Sequence, residues 1–348
     1  MSAEHNVGSG RQPTRPTLHR VHPYSLDRLA NPYGPSLHVA EVLAGRDDLH
    51  LPGDAETESL RERLAAKAGV APTWVCLANG MDELLGMIAR WRRASGPLVV
   101  FPPSDPAMER WLASHGATID RITRAPDMTI PLQPGTRLLP RGATSLVVSP
   151  NDPTGTILTV QEAVRLSRES ALVVIDERHA AYSGRTLVPL AREFDNLMVL
   201  QTMETAAGLP GLPLAWAIAP PVIIDALEAY ARPSGVACGS IVAALATLDD
   251  FPAVEATVRR VMTEKSRLFR TIRKLSMISP ACPSWANFIL ARAERGTAPL
   301  LHRELARRGV HVHLVENPEL PNHLRISAVS PDATNALKDA LIEIALDL

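Results

Sequence analysis

Apolar residues in this chain come mostly in short unbroken runs rather than in alternation with polar ones. Leu146-Val147-Val148 is one run, halted by Ser149-Pro150-Asn151-Asp152-Pro153; residues 171–175 are another, halted at Asp176. Runs without alternation predict strands covered on both faces, as in parallel sheets. Between the two runs, Thr159-Val160-Gln161-Glu162 has the pattern of a capping box. Val160, Ala163, Val164 and Leu166 follow near helical spacing. The stretch 145–182 therefore predicts strand, loop, helix, strand, and the two prolines keep helix out of the loop. Asp176 ends the second strand, at the edge where α/β folds place their ligands.

The same punctuation repeats along the chain. Strands are predicted at 74–77, 97–101, 197–201 and within the apolar segment 212–218, with helices at 82–91, 108–114, 222–230 and 239–249. Ser59-Leu60-Arg61-Glu62 is a second capping-box pattern, ahead of a helix that Gly69 ends. A long helix follows at 254–275. The last third alternates again, with strands at 288–291, 310–315 and 323–328 and helices at 299–308 and 332–346. This order predicts an α/β fold.

Composition narrows the function classes. The chain has 348 residues, 46% of them apolar, and carries a net charge of −1 with only 4% aromatics. That is ample for a core, and it offers neither the basic field nor the stacking surface of a nucleic-acid binder. No apolar stretch reaches the roughly 18 residues that span a bilayer, and no signal-peptide apolar region opens the chain. Cys76, Cys238 and Cys282 are odd in number and far apart. They suit a reducing, cytoplasmic setting and form neither a disulfide framework nor a zinc pattern. Residues 1–17, polar and rich in Gly and Pro, predict a mobile tail.

The punctuated stretch resembles fold-type I pyridoxal phosphate (PLP) aminotransferases. The 149–155 loop is similar to their Asn-Pro-Thr-Gly turn, and Asp176-Glu177 to their Asp-Glu-Ala-Tyr strand end. Asn31-Pro32-Tyr33-Gly34-Pro35, Asn79-Gly80-Met81-Asp82-Glu83, Gly208-Leu209-Pro210-Gly211-Leu212, Ala286-Asn287-Phe288 and Leu324-Arg325-Ile326 fall in the family's order across residues 18–345. Histidinol-phosphate aminotransferases and threonine-phosphate decarboxylases are the branch most resembled. The resemblance implies a three-layer αβα large domain with a mostly parallel seven-stranded sheet, plus a smaller α/β C-terminal domain. Its implied boundaries are a segment 18–45 joining the small domain, a large domain 46–250 and a small domain 251–348. It also implies a dimer, with the tail touching the partner and segments 212–218 and 239–249 as interface candidates.

Carried over residue by residue, the resemblance gives the phosphate to Gly80, Met81 and Asp82, the ring face to Asp105, and the pyridine nitrogen to Asp176. The substrate falls to Tyr33, Asn287 and Arg325. It also exposes departures. The family reads Ser-Lys-(Ala)-(aromatic)-Gly-Leu-(Ala/Pro)-Gly-Leu-Arg where this chain reads Glu204-Thr205-Ala206-Ala207-Gly208-Leu209-Pro210-Gly211-Leu212-Pro213. Thr205 stands at the Schiff-base lysine, Glu204 at the serine and Pro213 at the arginine beside the phosphate. Asp152 stands at the asparagine that donates to the phenolic oxygen, His179 at the tyrosine donor, and Leu51 at the partner-subunit tyrosine. The four lysines, Lys67, Lys265, Lys274 and Lys338, leave none between 68 and 264.

PLP chemistry needs a lysine amine, an acid at the ring nitrogen and cations at the phosphate. Glu204, Asp152 and Asp105 would instead add negative charge. One such contact at about 4 Å costs on the order of 4 kcal/mol at an effective dielectric of about 20, roughly three powers of ten in affinity. The expectation is an aminotransferase-like protein of amino-acid or phosphorylated-metabolite metabolism with weak or absent PLP binding and no aldimine. It would be non-catalytic or repurposed, working as a homodimer or with a lysine-bearing paralogue. The alternative is an enzyme of altered chemistry in which His179 and Asp176 move protons, or His179 serves Thr205 as a nucleophile. Asp176 could equally be a structural acid paired with Arg178 or Arg185. His311 and His313 lie on one side of a predicted strand, without further ligands for a metal.

Overall fold

The computed structural model describes residues 24–47, 53–132 and 136–347. The 1–17 tail and Leu51 lie outside the described residues.

A seven-stranded sheet runs in the spatial order Val75–Ala78, Ala215–Ile218, Leu197–Thr202, Leu172–Asp176, Thr144–Val148, Leu98–Val100, Ile119–Arg121. All neighbours from Leu197–Thr202 onward pair in parallel, and Ala215–Ile218 is antiparallel to both its neighbours. The unbroken apolar runs have a direct cause. Along Leu172–Asp176 and Leu197–Thr202, Val173, Ile175, Leu197 and Val199 enter one core cluster, while Leu172, Val174, Met198 and Leu200 enter the other. Both faces are covered by helices, so both sets of alternate side chains must be apolar.

A second sheet of five strands is ordered Ser25–Leu26, His311–Leu314, His323–Ser327, Phe288–Ala293, Ile278–Pro280. Ser25–Leu26 pairs in parallel with His311–Leu314, which brings the N-terminal segment onto the C-terminal sheet. Neither Ser25–Leu26 nor Ile119–Arg121 was signalled by the sequence, being two and three residues long.

Helix starts follow local chemistry. Thr159 caps Val160–Glu169, with its hydroxyl and the Glu162 side chain bonded reciprocally. The Ser59 pattern marks no start: that helix runs Asp54–Ala68 from Gly53, with Asp54 and Glu56 in its first turn, and Gly69 ends it. Acids in the first turn favour an earlier start because they meet the positive end of the helix. The segments taken as interface candidates are core instead. Leu214 to Ile218 is buried in the sheet, and Cys238–Asp249 buries Ser240 to Ala244. Their apolar faces are consumed by this chain's own packing.

Candidate active-site cleft

The cleft lies at the carboxyl ends of the parallel strands, and its charges are paired within the chain. Asp176, the last residue of Leu172–Asp176, has no exposed surface. Its Oδ2 accepts from Arg178 Nε (2.8 Å) and Nη2 (2.5 Å), and its Oδ1 accepts from the Arg178 amide (3.0 Å). The acid offered by resemblance to a pyridine nitrogen is thus held by an arginine two residues on, one of the two structural partners the sequence suggested. Burial alone would push the Arg178 guanidinium down. Asp176, with Asp82 and Glu204 behind it, outweighs burial and holds Arg178 above its ordinary value.

A second charge fills the helix end. Gly80–Arg92 begins after Asn79, and its free amides are where a phosphate would be received. The Met81 amide instead donates to Glu204 Oε1 at 2.9 Å, and the Thr202 hydroxyl donates to the same oxygen at 3.0 Å. Gly80 has φ +83°, and a Cβ there would lie 2.8 Å from Pro213 Cβ and 2.9 Å from Glu204 Oε1. Glycine is therefore required by both backbone and crowding. Glu204 and Pro213 close over the turn. Asp82 adds its negative charge beside Arg178, and its carbonyl accepts from Trp111 Nε1.

Thr205 is buried, and its hydroxyl donates to the Arg178 carbonyl rather than to His179. Its own carbonyl accepts from the Asn31 amide at 2.8 Å. Asn31 also donates to the Ala206 carbonyl, and a Cβ on Gly208 (φ +68°) would strike the backbone of Gly34 at 2.7 Å. The 31–34 loop is thereby tied to the Thr205 turn. Tyr33, in that loop, lies half-buried under the Arg260 guanidinium, 3.9 Å from its ring centroid.

The other half of the cleft joins the two sheets. Arg325 Nη1 donates to Asp152 Oδ2 at 2.5 Å, and Nη2 donates to the Asp27 carbonyl at 2.9 Å. Burial would raise the Asp152 carboxyl, but the Arg325 charge prevails and holds it below its ordinary value. His179 is fully buried, edge-on to Phe288 at 5.6 Å between ring centroids. Burial pushes its imidazole down to about 4, against the pull of Asp152 and with Arg178 adding to the fall. Both His179 ring nitrogens, Asn287 Oδ1 and Arg325 Nε are buried without a hydrogen-bond partner among the described residues. Asn287 Nδ2 is held by the Leu29 carbonyl.

Asp176, Arg178, Glu204, Met81 and Thr205 therefore form one connected group, and Asp152, Arg325 and His179 another beside it. Asp105 is engaged elsewhere, capping Pro106–Ser114 by accepting from the Ala107 amide. His313 is exposed and His311 half-buried, and no group of three or more His, Cys, Asp or Glu among the described residues could hold a metal ion. The sequence named Asp152, Glu204 and Arg325 singly but missed two of their pairings. Asp152 and Arg325 are 173 residues apart, and Glu204 and Met81 are 123 apart. The readable signal was compensation: acids arrive at a place that keeps Arg325 and carries Arg178.

As arranged, these groups do not fit PLP. The helix-end amide, the strand-end acid and Arg325 are each bound by an opposite partner from the chain itself.

A cleft at the carboxyl ends of a mostly parallel seven-stranded sheet, with a small sheet behind it, defines the fold-type I transferase architecture. The chain belongs to the aminotransferase class I and II family, which matches residues 31–341. It is 30% identical over 321 residues to histidinol-phosphate aminotransferase 1, chloroplastic, of Arabidopsis thaliana, covering 91% of this chain and 77% of that one. The histidinol-phosphate aminotransferase of Clostridium acetobutylicum has the same fold, with a TM-score of 0.84 at 17% identity over 93% of this chain and 100% of that one. That of Sinorhizobium meliloti, solved in complex with pyridoxal-5'-phosphate, superposes with a TM-score of 0.80 at 20% identity, covering 93% and 91%.

Proposed function

We propose that this chain is a histidinol-phosphate-aminotransferase-like protein that does not perform Schiff-base transamination. It is a non-catalytic or repurposed relative whose cleft takes a small amino-acid-like or phosphorylated metabolite without a covalent bond. The observation that carries this is the triple internal pairing: Glu204 on the Met81 amide, Arg178 on Asp176 and Asp152 on Arg325. These stand where a phosphate, a pyridinium and a substrate carboxylate would otherwise bind. A phosphate brought beside Glu204 would meet like charge, at about 4 kcal/mol for a contact near 4 Å. Pro213 supplies no cation to offset it, and Thr205, at the lysine position by motif, supplies no amine.

The acid–base alternative through His179 and Asp176 has less support. Asp176 is bound bifurcately by Arg178, and an imidazole with a pKa of about 4 is a weak base near neutrality. The unpartnered polar atoms of His179, Asn287 and Arg325 favour the metabolite reading, because a polar ligand there would satisfy groups that are costly to leave bare. A dimer, with itself or with a lysine-bearing paralogue, and a cytoplasmic location belong to the same reading. Incubation with PLP, dialysis and a visible spectrum test it. The protein should be colourless afterwards and should transfer no amino group from histidinol phosphate. A yellow colour that survives dialysis would overturn the reading.

A further inference from the structure

The Thr205 turn has a second side. Beneath it, at the carboxyl ends of Leu172–Asp176 and Leu197–Thr202, lies a cavity of about 540 Å³. That volume falls within the roughly 300–1,000 Å³ of small-molecule sites. Thr205, Thr202 and Arg178 line both the cavity and the cleft, whereas Gly80, Asp82, Asp152, Asp176, His179 and Glu204 do not line the cavity. The cavity thus adjoins the cleft across Arg178 and the Thr205 turn and extends away from the other paired charges.

Its walls are largely apolar, with Arg178, Arg185, Glu255 and Arg259 also in the lining. Trp216, Leu64 and Val254, all buried, face it, and Ala206 and Ala207 form the turn above it. Ala207 stands where the resembled motif has an aromatic ring, so a methyl group here leaves space that a ring would fill. Glu177 at the cavity is already satisfied, its carboxylate accepting from the Thr186 hydroxyl, the Leu187 amide and Gln201 Nε2. Lys67 is different. Its ammonium stands 3.2 Å above the centre of the Phe251 ring and forms no ion pair or hydrogen bond among the described residues. The nearest acid, Glu255, pairs with Arg259 at 3.7 Å. An apolar chamber thus carries at its edge a cation with three donor hydrogens uncommitted.

We propose that this cavity is a binding site for an amphipathic monoanion. The ligand has an aromatic or branched aliphatic body and a single carboxylate, sulfonate or phosphate group. The body packs under Ala206-Ala207 against Trp216, and the anion meets Lys67. The ring of Phe251 fixes the ammonium in place, so little side-chain freedom is lost when the anion arrives. The site shares Arg178 and Thr205 with the cleft, but the body and the anion are held by Trp216, Ala207 and Lys67, so the proposal holds whether or not the cleft takes PLP.

The test uses the full chain and two probes, 1-anilinonaphthalene-8-sulfonate and its neutral counterpart N-phenyl-1-naphthylamine. Wild-type protein should bind the sulfonate saturably at one site per chain. Ala207→Phe fills the chamber from the turn and Val258→Trp fills it from the half-buried helix wall. Each should weaken both probes by about tenfold or more while thermal unfolding stays cooperative. Should Ala207→Phe fail to fold, Val258→Trp decides. Lys67→Gln, at an exposed position, should weaken the sulfonate by about tenfold and leave the neutral probe within about twofold. No saturable binding by wild type, unchanged binding in a folded chamber-filling variant, or equal loss of both probes in Lys67→Gln would each overturn the proposal.

Discussion

The two halves of the cleft differ in how their polar groups are satisfied. On one side, given by resemblance to the cofactor, Asp176 is bonded to Arg178 and the Met81 amide to Glu204. On the other side, where the resemblance sets substrate residues beside the ring's phenolic oxygen, Arg325 is paired with Asp152, yet four buried polar atoms of His179, Asn287 and Arg325 have no hydrogen-bond partner among the described residues. The fold supplies both halves with the same kind of place, the end of a parallel sheet. What differs is whether the chain brings its own counter-ion. In the first half the chain supplies partners to the groups that the resemblance assigns to a ligand. The second keeps unmet hydrogen-bonding capacity, a state that costs roughly 1–3 kcal/mol per group until something binds.

The largest effect is expected from rebuilding the first half. Thr205→Lys alone should give no visible aldimine band with PLP, because the new amine adjoins Glu204, which holds it as an ammonium. Adding Glu204→Ser, Pro213→Arg and Arg178→Ala should raise PLP affinity by roughly three powers of ten, and Asp152→Asn should add a smaller step. The increments should not add, since these groups would meet one ligand. Absorbance titration checks the series. A yellow single variant would show that the two halves do not differ as described.

Next in size is the bond between Asp152 and Arg325. Their side chains are 12% and 8% exposed, so removing one partner strands a buried charge. Arg325→Met should cost about 3–5 kcal/mol in urea unfolding, and Arg325→Met with Asp152→Asn distinctly less. An equal cost for both would mean that the pair holds no charge in balance.

Acid should distinguish the halves. His179 sits at about 4 in the folded chain against an ordinary value near 6.5, so between these pH values the unfolded chain binds more protons. Stability should then be full above about pH 6.5 and fall by about 3 kcal/mol as pH drops to 4. Asp152, held low, loses its contribution at still lower pH, in the same direction. His179→Phe should flatten the slope between pH 4 and 6.5 and leave the later loss. An unchanged slope would remove His179 from the account. The smallest effect is expected from Glu204→Gln, which keeps an acceptor for the Met81 amide but gives up the charge at the helix end, at about 0.5–1 kcal/mol in thermal unfolding.

Much of the frame was legible because local rules set it. Apolar runs gave the strands, Thr159 and Glu162 gave a helix start, and Asp176 marked the strand end. Motif order placed Gly80, Asp152, Thr205 and Arg325 at the cleft before any distance was known. The pairings were not legible, because a partner 123 or 173 residues away leaves no periodic trace. Asp105 shows the same limit. The resemblance put it at a ring face, and its position before Pro106 and Ala107 makes it a helix cap, a role the motif comparison did not supply. Lys67 and Ala207 were named without a shared role for a related reason: a chamber is made by what several elements leave unfilled, and no single stretch records it.

Equilibrium dialysis of PLP against wild type and the Arg178→Ala/Glu204→Ser double variant, both keeping Thr205, tests the internal-partner claim most directly. The account predicts no saturable binding by wild type at micromolar PLP and a gain of about tenfold or more in the double variant, since freeing Asp176 and the Met81 amide removes competing partners. Micromolar binding by wild type, or no gain on removing both partners from a folded protein, would contradict it.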